Sequence, residues 1–165
     1  MLGLSELKQT KVYQEAKEEG FQEGEEKAKY KAIPRMLQFG LNLEAISQLL
    51  DLPQKVVQQA AQSFHKQNVA AFIELLNNQP SLFTSETLAE LVNLVEPLPD
   101  NIEELSNAIA NWCKIGEHSQ ILDALNQLRQ NLSSSNRTEN NTETTDNPPN
   151  KIMLQNALRQ DSSNT

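Results

Sequence analysis

From residue 63 onward the apolar positions recur every three or four residues. Val69, Phe72, Ile73 and Leu76 follow i, i+3, i+4, i+7 and run up to "NNQP". Leu88, Leu91, Val92 and Val95 repeat the spacing and stop before Pro97. A third stripe, Ile102, Leu105, Ala108, Ile109 and Trp112, ends at Gly116, and a fourth holds Ile121, Leu122, Leu125 and Leu128. That period puts each set on one face of a helix. The short breaks between them predict a small four-helix bundle over residues 63–132. Asp100 with Glu103 after it reads as the capping box of the third helix, and Ser119 reads as the cap of the fourth.

The pattern before residue 63 is different. "GLNLEAISQLLDLPQKVVQQAA", residues 40–61 of a segment 40–62, places Leu43, Ile46, Leu50, Leu52 and Val57 where a helix-turn-helix hairpin needs apolar residues. Ser47 supplies a small residue where the two helices cross. Asp51 takes the turn position usually given to Gly, since Asp tolerates the left-handed conformation better than most residues. Pro53 suits the first turn of the second helix. Residues 1–39 predict a long charged helix, kinked or restarted at Pro34 and stopped at Gly40. Its apolar residues (Val12, Tyr13, Ala16, Phe21, Ala28, Ala32) are too sparse for a continuous core stripe. Such a helix stands in solvent or lies in a bundle of several chains. Gly20 and Gly24 share a face, and they are candidates for close helix–helix contact. Residues 133–165 read as a disordered tail, with 151–160, "KIMLQNALRQ", as a short amphipathic segment. It either docks on a partner or packs as a terminal helix on its own bundle, and the second reading is preferred. The fold class expected is therefore all-α.

Charge changes what these helices can be used for. The 22 acids exceed the 14 bases, giving a formal charge of -8. Nine acids against three bases fall in 63–132, whereas residues 1–35 hold seven of each. A negative chain is repelled by phosphate backbones and by anionic membranes. The second helix of the hairpin offers one base, Lys55, with Gln54 and Gln58 beside it as candidate DNA contacts. Glutamine can pair with adenine, but one lysine neutralises little phosphate. A hairpin used for packing is preferred to a DNA reader. No apolar run is long enough to span a bilayer, and no secretion signal is present, so a cytoplasmic protein is expected.

Chemistry is sparse. The single cysteine, Cys113, excludes a disulfide framework within the chain. It and His118 lie near Trp112 with no third ligand in the sequence, and His65 stands alone on a Gln-rich helix. No phosphate loop, nucleotide-binding glycine fingerprint, nucleophile elbow or HExxH occurs. No catalytic residue, cofactor, metal or small-molecule ligand is expected. A protein partner or self-association is.

The stretch from "MLGLSELKQTKVYQEAKEEG" through "GLNLEAISQLLDLPQKVVQQAA" resembles the C-terminal tail of the recombination-promoting nuclease/putative transposase family, of PD-(D/E)XK type, as found in cyanobacteria. The resemblance covers about the first 62 residues. "LKQT…YQEAKEEG" is its most specific part. The family's nuclease core holds Mg²⁺ with an acid and a (D/E)-x-K strand. The resemblance begins at Met1, after where that core would end, so no catalytic residue carries over. It implies a non-catalytic accessory or protein-interaction protein, a split or truncated member of the family. The alternative is a small DNA-binding regulator using residues 43–62.

Overall fold

In the computed structural model the described residues are 11–135 and 147–160, and they are all-α, with no strand among them. In chain order the helices are α1 (Lys11–Gln38), α2 (Leu43–Leu50), α3 (Gln54–Asn78), a 3₁₀ turn (Pro80–Leu82), α4 (Ser85–Val95), α5 (Ile102–Lys114), α6 (Ser119–Ser135) and α7 (Lys151–Gln160). The chain divides into two compact units between Ala61 and Gln62.

The first unit takes its core from the end of α1, from α2 and from the start of α3. Ile33, Ile46 and Val57 are fully buried there, with Met36, Leu37, Leu41, Leu43, Leu50, Leu52 and Ala60 packed around them. Its turns follow from single residues. Gly40, at φ +82°, closes α1: its own N–H donates to the Leu37 carbonyl (3.0 Å), and the Leu41 N–H donates to the Met36 carbonyl (3.2 Å). Asp51 does the same for α2 at φ 51°, ψ 51°, with the Leu52 N–H donating to the Ser47 carbonyl at 3.1 Å. Both are Schellman closures, which need a left-handed residue just past the helix. The Ser47 hydroxyl donates to the Leu52 carbonyl at 2.6 Å and ties the turn to the helix before it. Asn42 caps the other end, accepting from the Ala45 N–H at 2.8 Å. Pro34 lies inside α1, which continues to Gln38 instead of restarting.

The second unit is a helical bundle. Phe72, Leu75 and Leu76 from α3 meet Leu91 of α4, Leu105 and Ile109 of α5 and Leu125 of α6, all essentially inaccessible. Phe72 and Phe83 pack edge to face, with ring centroids 5.9 Å apart. The segment 151–160 belongs to this bundle as α7: Leu154 and Leu158 are fully buried in the same core. Its entry is fixed by hydrogen bonds as well. The Lys151 ammonium donates to the carbonyls of Glu96 (2.8 Å) and Leu98 (2.5 Å), and the Lys151 N–H donates to the Asp100 carboxylate at 3.0 Å.

Three boundaries differ from expectation. The helix expected at 54–62 and the one expected at Val69 are a single helix, Gln54–Asn78. Nothing in "QQAAQSFHKQN" breaks a helix, and the nearest prolines are Pro53 and Pro80. The cap of α5 is Asn101, not Asp100. The Asn101 side chain accepts from the N–H groups of Glu103 (2.9 Å) and Glu104 (3.3 Å), while Asp100 is engaged by Lys151. Helix α6 extends to Ser135, past the expected start of the tail, and starts at Ser119, whose neighbour His118 gives the carbonyl for Leu122 N–H. Residues 136–146 and 161–165 of the expected disordered tail, and residues 1–10 of the expected charged helix, lie outside the described residues.

Candidate functional sites: an exposed helix, a helical hairpin and a buried polar seam

Helix α1 is 28 residues long, and residues 11–28 are exposed throughout. Val12 and Phe21 keep 74 % and 72 % of their surface in water. A Cβ built on Gly20 or Gly24 would meet no atom within 4 Å, so none of the described residues packs against either glycine. Within the helix, Lys11 pairs with Glu15 (3.7 Å) and Glu25 with Lys29 (3.3 Å). Exposed i,i+4 pairs of this kind each contribute a few tenths of a kcal/mol.

The hairpin presents Gln54, Lys55 and Gln58 in the first turns of α3, all exposed. Gln54 and Gln58 are one turn apart, with Lys55 beside them. Behind them Val57 is buried in the hairpin core, which fixes the direction in which this face points. Leu49 of α2 is exposed as well, at 64 %.

The bundle hides a polar seam that the pattern of apolar residues does not announce. His65, Asn68 and Ser106 are buried. The His65 Nδ1 and the Ser106 hydroxyl are 3.0 Å apart, and the Asn68 amide donates to that hydroxyl at 2.9 Å and to the Ser106 carbonyl at 3.3 Å. Arg129 reaches in from α6, donating from one guanidinium nitrogen to the Asn68 Oδ1 at 3.1 Å and from the other to the Asn126 Oδ1. Its guanidinium carbon sits 5.4 Å from the centre of the Phe64 ring. Burial holds His65 below its ordinary pKa, against the opposing pull of Glu103, so it is a neutral imidazole at pH 7. A serine hydroxyl at hydrogen-bond distance from an imidazole is the arrangement of a nucleophile and its base. Here Ser106 is 1 % and His65 4 % accessible, which leaves no face open to a substrate. The contact orders the core.

Cys113 is 2 % exposed, and burial pushes its thiol up to about 11, with Arg129 pulling the other way. It is therefore a protonated thiol at neutral pH and a poor nucleophile. His118 has a neighbour that the sequence does not reveal. Its ring stacks on Trp112 with centroids 3.9 Å apart, and its Nε2 lies 3.7 Å from the Glu90 carboxylate. The Trp112 indole N–H donates to the same carboxylate oxygen at 3.2 Å. Gly116 turns the chain at φ +102° between Trp112 and His118. This cluster staples α4 to the α5–α6 turn. Among the described residues no group of three or more His, Cys, Asp or Glu could hold a metal ion, and no helix is long and apolar enough to cross a membrane.

Sequence reading missed His65 and Asn68 because they sit among glutamines, where a polar run looks like a solvated face. One signal was available. Residues 61, 65, 68, 69, 72, 75 and 76 keep one helical spacing, and two of them are polar.

No family model matches the chain, and neither the curated proteins nor the solved structures contain a match to it.

Proposed function

We propose that this protein is a non-catalytic helical accessory protein that acts through protein–protein contacts made by α1, in the manner implied by its resemblance to the tail of a recombination-promoting nuclease. The observation that supports this is the exposure of α1 from residue 11 to 28, apolar Val12 and Phe21 included. A helix with two interior glycines loses about 1 kcal/mol at each relative to alanine. Most helical stability in proteins comes from packing against a neighbour and not from propensity, so an exposed helix gains from a partner. The bundle supplies a separate module at the other end of the chain, and the cytoplasm is its proposed location. The test is sedimentation of the purified chain, alone and with a candidate nuclease. A species that stays monomeric at high concentration and binds no candidate would sink this reading.

A second reading, a DNA-binding regulator, is favoured by one observation. Gln54, Lys55 and Gln58 are exposed together on the helix that follows the Asp51 turn. It predicts duplex binding that falls steeply with salt and is lost in Lys55→Glu. Absence of a mobility shift at low salt would end it.

A further inference from the structure

We infer that α1 pairs antiparallel with α1 of a second copy of this chain, the overlap centred between Gly24 and Lys27. The inference rests on the interaction reading above and names its occupant. It comes from how charge is laid along the exposed helix. Residues 11–26 carry six acids (Glu15, Glu18, Glu19, Glu23, Glu25, Glu26) and two bases (Lys11, Lys17), a net of 2 − 6 = −4. Residues 27–38 carry Lys27, Lys29, Lys31 and Arg35 and no acid, a net of +4. The helix is neutral as a whole and polarised end to end.

Two such helices side by side have two orientations. Parallel pairing sets −4 on −4 and +4 on +4. Antiparallel pairing sets −4 on +4 twice over, with the reversal of sign, between Glu26 and Lys27, near the two-fold axis. Like charges in register cost free energy and opposite ones recover it, which makes charge the selector of orientation. Gly20 and Gly24, with nothing within 4 Å of an added Cβ, leave room for a second backbone near that axis. Phe21, in the same part of the helix and 72 % exposed, supplies apolar surface to bury.

The helix macrodipole also favours acids at the N-terminus and bases at the C-terminus, but it acts only over the first and last turns. Glu23, Glu25 and Glu26 lie mid-helix, and so does Lys27. A dipole does not explain a sign change there. A facing helix of the same sequence does.

The experiment uses the full chain with a nitroxide on Val12→Cys, a position 74 % exposed, leaving the native Cys113 unlabelled because it is buried. At a rise of 1.5 Å per residue, the two labels of an antiparallel pair lie roughly 40 Å apart. A parallel pair in register holds them at about the 8–10 Å interaxial spacing plus the label arms, below ~20 Å. The expected result is a dimer by sedimentation with the long distance. A dimer with the short distance overturns the antiparallel arrangement while leaving the interaction reading in place. A monomer at high micromolar concentration overturns self-pairing altogether, and the interaction reading then stands or falls on its own test.

Charge reversal provides the second arm. Lys27→Glu, Lys29→Glu and Lys31→Glu together take the basic half from +4 to −2, and Glu18→Lys, Glu19→Lys and Glu23→Lys take the acidic half from −4 to +2. Each triple variant is expected to be monomeric alone and to form a heterodimer when the two are mixed. Circular dichroism confirms that the bundle remains folded, since every substituted position lies outside both cores. Homodimers of either variant would show that charge does not select the pairing, and overturn the argument.

Discussion

Helix α1 and the bundle invert each other's use of polarity. In α1 the charges face water along its exposed length, the apolar residues are few, and Phe21 is left outside. In the bundle a phenylalanine, Phe72, is wholly inaccessible, and polar groups are drawn inside with it. The bundle can do this because His65, Asn68, Ser106, Asn126 and Arg129 satisfy one another, which removes most of the cost of burying them. The exposed stretch of α1, residues 11–28, buries no such polar groups. Its charged and apolar side chains stay in water, whereas the bundle's polar side chains are paired within its core.

The comparison breaks most visibly at the two phenylalanines. Phe72→Ala removes a fully buried ring and is expected to cost about 3–5 kcal/mol. Phe21→Ala, 72 % exposed, is expected within about 0.5 kcal/mol of the parent in the monomer. Urea denaturation of both variants checks this. Equal losses would mean that α1 is packed as the bundle is, and that its exposure is not a property of the folded chain.

A smaller effect sharpens the polar side. Asn68→Ala deletes the amide that bonds to Ser106 and the oxygen that accepts from Arg129, leaving buried groups short of partners. The expected loss is about 1–3 kcal/mol. Asn93→Ala, on the exposed side of α4, should be neutral or slightly stabilising, since alanine is the better helix former. If the two asparagines behaved alike, the seam would be an ordinary solvated face.

How much of this was written in the sequence depends on the kind of signal. Periodicity gave the four stripes of 69–128, because each buries a mainly apolar face and a helix must place such a face inside. Turn chemistry gave Gly40 and Asp51, because few residues tolerate a left-handed conformation. Asp100 and Asn101 stand next to each other, and both can cap. The choice fell to Lys151, 51 residues beyond Asp100 in sequence, which engages that carboxylate only once α7 is docked. The seam was illegible for the same reason: a histidine among glutamines looks solvated until Ser106, from another helix, is seen to face it. Glu90 gives His118 and Trp112 a shared partner by the same kind of long-range meeting. Local rules read local structure, and the seam's contacts from His65 and Asn68 to Ser106 and Arg129 join different helices. The candidate contacts at Gly20, Gly24, Gln54, Lys55 and Gln58 lie at exposed positions, as the sparse apolar pattern around them predicts.

The finest test of the contrast lies in pH. His65 is buried neutral, with its folded pKa depressed below the ordinary value of 6.5 by desolvation, which outweighs the pull of Glu103. In the unfolded chain the imidazole regains its ordinary affinity for a proton. Between the folded and unfolded values the unfolded state therefore binds more protons, and stability rises with pH there. It is complete above the unfolded pKa and is lost progressively as pH falls below it, levelling only under the folded value. Stability measured by urea midpoints from pH 7.5 down to 5.5 should thus decline in the parent chain. His65→Gln keeps a polar group in the seam without a titrating one. Its overall stability can sit lower, but its decline over the same interval should be shallower. An unchanged slope in His65→Gln would show that the seam opens to water often enough for the histidine to titrate as it does in the unfolded chain. The bundle would then differ from α1 in degree of burial and not in kind.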